Sequence, residues 1–145
     1  MADTAKPGTA LLVMDFQERI VGMVADSAPL MERTRAAIDA AHAAQIPVIY
    51  VVVRFREGYP EISARNKSFS ALKSGAMPLT EDSPGAQIFA DLAPSDGDIV
   101  VTKRRVSAFA GSDLEVVLRG LGISHLVLAG IATSGVVLST LREAA

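Results

Sequence analysis

The chain has 145 residues, 50% hydrophobic and 21% charged, a size and balance that suit one globular domain with a single core. A formal net charge of −2 leaves no broad basic field, so no nucleic acid and no membrane is expected as a partner, and small molecules or protein chains are. With no cysteine there is no disulfide, no thiolate metal site and no thiol nucleophile.

The first stretch, "MADTAKPGTALLVMDF", has no cationic segment leading into a long apolar run, and no later run approaches the roughly 18 apolar residues of a membrane span. A cytoplasmic protein is expected. "TALLVMDF" is a short apolar run ending in a carboxylate, and it predicts a strand near 10–15. In "SAPLMERTRAAIDAAHAAQ", Leu30, Thr34, Ala37, Ile38, Ala41 and Ala44 recur at helical spacing, which predicts an amphipathic helix. "IPVIYVVVRF" is rich in β-branched residues and predicts a second strand near 48–53, buried on both faces. The next stretch, "REGYPEISARNKSFSALKSGAMPLTEDSPGAQIFADLAPSDG", mixes Gly, Pro, Ser and charge. It reads as a long excursion with one short helix around "PGAQIFADL".

"DIVVTKRR" predicts a third strand near 98–102. In "SDLEVVLRGLG", Ser112 and Glu115 stand in capping-box spacing, and Gly120 and Gly122 supply the helix stop. "SHLVLAG" predicts a fourth strand near 125–129, after which the chain turns through "IATSG" into a helix-like end. Strands alternating with helices over 1–145 predict a single α/β domain with a parallel sheet. Polar residues fall at the carboxyl ends of these strands: Asp15, Arg54, Lys103 and the Thr133-Ser134 turn. Ligands bind at that edge of open α/β sheets, although strand ends also turn polar simply on meeting solvent.

"ALLVMDFQ", "KRRVSAFAGSDLEVVLRGLGI" and "LVLAGIATSGVVLSTLREAA" together resemble the isochorismatase-like hydrolases, a family that includes nicotinamidases, N-carbamoyl amino-acid amidases and isochorismatases. The likeness runs from about Thr9 to the last residue. It implies a doubly wound, Rossmann-like parallel sheet of order 3-2-1-4 with helices on both faces, and further strands after "STLREAA", so the chain is expected to be C-terminally incomplete. It also implies an Asp-Lys-Cys set, in which Asp15 and Lys103 match and Val136 stands at the cysteine's position. A non-proline cis peptide before Thr133, an oxyanion-binding turn at Ala132, Thr133 and Val136, and Gln17 behind Asp15 are implied as well. So is a homo-oligomer, a dimer or tetramer.

Valine cannot attack a carbonyl, and the covalent route of the cysteine-bearing relatives is closed. Ser139 and Thr140 lie about one helical turn beyond position 136, and Ser134 sits where a helix cap would. None stands in for the thiol. The metal of the nicotinamidases would need an aspartate and histidines just after the second strand, where this chain reads "VVVRFREGYPE"; its histidines, His42 and His125, lie elsewhere and read as structural. No metal and no cofactor are expected. Isochorismatases do without the cysteine: they hydrolyse a vinyl ether, with the aspartate as general acid. An apolar residue at 136 would favour a protonated Asp15 by desolvation, whereas Lys103 would favour the ionised form. Arg54, Arg56 and Arg105 are candidates for an anionic substrate group, with Phe16, Phe55 and Phe109 as candidate pocket walls. The reading is therefore a family hydrolase using Asp15 as general acid or base; the alternative is an impaired enzyme serving as a ligand-binding or oligomeric module.

Overall fold

Four parallel strands form one sheet: β1 (Thr9–Met14), β2 (Val48–Val53), β3 (Ile99–Lys103) and β4 (His125–Gly130). Their spatial order is β3-β2-β1-β4, as the sequence resemblance implied. This is a computed structural model, and it describes residues 7–66 and 78–145. Part of the expected excursion, 67–77, lies outside the described residues, as does 1–6 of the opening stretch.

The alternation of side chains along β1 builds two cores. Ala10, Leu12 and Met14 join Ile49, Val51, Val101, Leu114, Leu118 and Val136 on one face, while Leu11, Val13 and Phe16 join Val21, Met31, Ile38 and Tyr50 on the other. β1 and β2 are almost wholly buried because helices cover both faces. β4 is an end strand, and its Val127 is 53% exposed. In register, Leu11 sits opposite Val48 on one side and Val127 on the other.

A short helix α1 (Glu18–Val21), absent from the sequence-based expectation, follows β1 directly. Helix α2 (Ala28–Ala43) buries Met31, Thr34, Ile38 and Ala41. Of the stripe predicted for it, Ala37 and Ala44 are exposed, because the buried face is rotated toward Met31. "PGAQIFADL" does not form one helix: two 3-10 turns, Pro84–Ala86 and Ala90–Leu92, flank an antiparallel bridge of Ile88 to Gln17. Helix α3 (Leu114–Gly120) ends as expected, with Gly122 at φ 68°. Its predicted capping box does not form. Asp113 is the N-cap, Ser112 Oγ donates to Ala108 O at 2.6 Å and accepts the Leu114 N–H at 3.2 Å, and Glu115 pairs with Arg119 at 3.5 Å. After β4 come one π-helical turn (Thr133–Val137) and helix α4 (Leu138–Ala144).

Candidate active site

At the end of β1, Asp15 takes φ 66°, in the left-handed region that aspartate tolerates better than most residues. Its N–H donates to Val51 O at 2.9 Å, so the chain leaves the sheet while still tied to β2. Lys103 ends β3, two strands away, a separation of about 10 Å across the sheet. Only a long side chain spans that. Lys103 Nζ lies 3.2 Å from each carboxylate oxygen of Asp15, and it donates to Oδ2 and to Val106 O. Asp15 Oδ1 is buried without a hydrogen-bond partner.

Asp15 is 7% exposed and Lys103 1%. Burial pushes the Asp15 carboxyl from 3.8 up to about 6, with the Lys103 ammonium pulling it down. Burial also lowers the pKa of Lys103, with Asp15 opposing. The two opposed influences read from the sequence are thus ranked: desolvation outweighs the charge. The site holds a carboxyl that exchanges its proton near neutrality, beside a lysine that gives up its charge more readily than one in water.

The third component is the turn after β4. A cis peptide joins Ile131 to Ala132, one bond earlier than the one before Thr133 that the resemblance implied. The π-helical turn then brings Val136 inward to 2% exposure. Gly130 makes this approach possible: a Cβ there would lie 2.8 Å from Val136 Cγ1 and 3.1 Å from Val137 Cγ2. In α4, the buried Thr140 accepts the Ala108 N–H at 3.0 Å, which fixes the loop leading from Lys103.

These three strand ends surround a cavity of about 290 Å³. Asp15 and Lys103 line it together with Ala132, Gly135 and Val136 of the turn. Ile20, Met23, Val53, Leu79, Val106 and Ile131 give it apolar walls, and Arg19 and Arg105 bring two cations. Of the residues singled out in the sequence, Asp15, Lys103, Ala132, Val136 and Arg105 meet here. Thr133 is exposed and not among the lining residues.

Other candidates have different occupations. Gln17 is fully buried, donating to Val53 O at 2.9 Å and Ala86 O at 2.8 Å and accepting the Val53 N–H at 2.8 Å; it ties β1 to β2 behind Asp15. Arg54 does not line the cavity: it donates to Ala86 O at 3.1 Å and Gln87 Oε1 at 3.3 Å. Arg56 is also outside it, paired with Glu61 at 2.8 Å. Arg105 lines the cavity while donating to Arg104 O at 2.6 Å and Glu61 O at 2.7 Å. Phe16 and Phe55 are core residues, and Phe109 borders a separate groove of about 500 Å³ beside α3 and β4. His42 pairs with Asp98 at 2.9 Å, and His125 meets Ser124 at 3.0 Å; among the described residues neither belongs to a cluster of three or more metal-ligating side chains. Sequence reasoning missed Arg19, Ile20 and Met23, which reach the cavity because α1 starts immediately after Gln17. The "ERIV" that follows "MDFQ" was the available signal.

The isochorismatase domain family model matches residues 9–145. The chain is 34% identical over 136 residues to the uncharacterized isochorismatase family protein YwoC of Bacillus subtilis, covering 94% of this chain and 69% of that protein. It is 35% identical over 161 residues to the ureidoacrylate amidohydrolase RutB of Pseudomonas syringae pv. syringae, covering 95% of this chain and 65% of that enzyme. Among solved structures, a cysteine hydrolase from Pseudomonas syringae pv. phaseolicola superposes with a TM-score of 0.87 at 25% identity, over 97% of this chain and 67% of that one. N-carbamoylsarcosine amidase from Thermoplasma acidophilum superposes with a TM-score of 0.76 at 26% identity, over 94% and 72%.

Proposed function

The chain belongs to the isochorismatase family, and from that premise we propose that it is a small-molecule hydrolase that works without a covalent nucleophile, with Asp15 as its general acid and base. One observation carries the reading: a buried carboxyl raised to about 6 shares a cavity with Lys103 and with a valine where the relatives' chemistry would need a thiol. A carboxyl in this range is protonated often enough near neutrality to donate, and ionised often enough to accept the proton back.

The substrate class that suits such a site is an enol or vinyl ether. Asp15 delivers its proton to the enol-ether carbon, and the carbon that bears the ether oxygen becomes an oxocarbenium ion. Water attacks that ion, and the Asp15 carboxylate, steadied by Lys103, takes up the water's proton to leave a hemiketal. Asp15 then gives this proton to the ether oxygen as the C–O bond breaks, the alcohol departs, and the hydroxyl proton passes back to Asp15 as the carbonyl product forms. The backbone of the turn at Ala132, Gly135 and Val136 lies at the cavity wall; the Gly135 N–H donates to Ala132 O at 3.2 Å, which leaves the N–H groups of Ala132 and Val136 as the ones that would hold a substrate oxygen. Arg105 and Arg19, both in the cavity lining, would favour a substrate bearing a carboxylate. An amide such as ureidoacrylate, named for the RutB relatives, would have to be attacked by water directly.

The test is product analysis after incubation with isochorismate and with ureidoacrylate. The expected result is vinyl-ether cleavage that Asp15→Asn abolishes, with a rate that falls as pH rises through about 6, because the acid form is lost. A second reading, a ligand-binding module, draws on the buried valine at position 136. It would be favoured by saturable binding of these compounds with no product from either.

A further inference from the structure

With the thiol position occupied by Val136, the amine of Lys103 is the strongest nucleophile among the described residues that line the cavity. We propose that Lys103 captures small aldehydes or 2-oxo acids as an imine, an activity separate from hydrolysis. The geometry has the parts of an imine-forming lysine. Nζ is held by Asp15 at 3.2 Å and by Val106 O, so the nitrogen is fixed at the end of a stem that is 1% exposed. An amine that uses two N–H groups for these partners turns its lone pair elsewhere, and the cavity is the space its side chain borders. The walls, including Ile20, Leu79, Val106 and Val136, are apolar. Desolvation by such walls is what makes a lysine nucleophilic, and burial does lower the pKa of Lys103.

The step balances with the groups present. The neutral Nζ attacks the carbonyl carbon, and the carboxylic acid of Asp15 gives its proton to the carbonyl oxygen as the C–N bond forms. The ammonium nitrogen of this adduct returns a proton to the Asp15 carboxylate, leaving a carbinolamine. Asp15 then protonates the hydroxyl, which departs as water while the nitrogen lone pair forms C=N. The product is an iminium cation beside the Asp15 carboxylate. No oxidant or further reagent is consumed.

The experiment uses the wild-type chain with glyoxylate or butyraldehyde and sodium cyanoborohydride, which reduces the iminium to a stable secondary amine. Intact-mass analysis and peptide mapping then read which of Lys6, Lys67, Lys73 and Lys103 is labelled. Each unit by which a lysine pKa falls raises the neutral fraction about tenfold. Labelling of Lys103 is therefore expected to outpace that of free Nα-acetyl-lysine under the same conditions. Asp15→Asn is expected to slow it, because the proton donor is gone. Labelling spread over the other lysines, or a Lys103 rate no higher than the free amino acid, overturns the proposal. The wild-type map decides this even if variants at 103 fail to fold, and it does so whether or not vinyl ethers are hydrolysed.

Discussion

Replacing Asp15 by asparagine keeps the shape of the side chain and removes its titration, which makes it a test of the electrostatic account itself. In the folded protein the carboxyl holds its proton up to about pH 6, against 3.8 for the free side chain. The folded state therefore binds this proton more tightly than the unfolded state does. Stability from this group is fully present below about 3.8 and is lost as pH rises through about 6. The difference of about 2 units corresponds to about 3 kcal/mol, since each unit is worth about 1.4 kcal/mol. Subtracting the Asn variant's profile from the wild type's isolates the pH dependence that Asp15 brings, its coupling to Lys103 included. The chain has no tryptophan, and urea unfolding followed by circular dichroism is the suitable assay. The wild-type advantage should shrink by about 3 kcal/mol from well below pH 3.8 to well above pH 6, about 2 kcal/mol of it between those two values. A difference that stays flat, or that grows with pH, would show that Lys103 dominates and that Asp15 is an ordinary ion-pair carboxylate.

Gln17→Leu should lower stability by about 3 kcal/mol or more in the same unfolding assay, because the Val53 N–H and O and the Ala86 O all lose a buried partner. Gly130→Ala should destabilise by about 1–3 kcal/mol, since its methyl would meet Val136 Cγ1 at 2.8 Å and force the π-helical turn outward; a thermal melt unchanged from wild type would refute the packing argument. Val136→Cys should place a thiol in the cavity with Asp15 and Lys103, and its alkylation by iodoacetamide should outpace that of free cysteine near neutral pH. A slower reaction than the free amino acid's would mean that the neighbouring groups do not activate it.

The sheet was legible because burial on both faces leaves a coarse mark: "ALLVM" and "VIYVVV" have almost no polar residues and are buried nearly throughout, and "LVLAG" is as apolar although β4 lies partly exposed at the sheet's end. Asp15 and Lys103 were legible as strand-end polar residues, and the resemblance gave them partners. What the sequence could not rank was the competition at Asp15, because the strength of desolvation depends on walls contributed by α1, by the loop at Leu79 and by Val106, none adjacent in the chain. The arginines misled for a related reason. A guanidinium at a strand end is equally suited to a substrate carboxylate or to backbone carbonyls, and in Arg54 the carbonyl of Ala86 takes it. The short helices failed on local grounds: α1 has four residues, too few for periodicity to show, and the Ser112-Glu115 spacing was overruled by the Ala108 carbonyl, which engages the serine hydroxyl.

The valine at position 136 has a consequence beyond the missing thiol. The turn that carries it packs against the bare Cα of Gly130, and a side chain no larger than valine fits at 136 in the same place. What changes is the medium around Asp15. A thiol in that place would offer the carboxylate a hydrogen bond and would itself hold the transferable proton. Valine offers neither, and Asp15 Oδ1 is left buried without a hydrogen-bond partner. Burial raises the cost of ionising Asp15, against the pull of the Lys103 ammonium 3.2 Å from Oδ1. Under the proposed mechanism a valine at 136 acts in the same direction as the raised carboxyl pKa: Asp15 serves as an acid on the substrate, not as a base that activates a nucleophile.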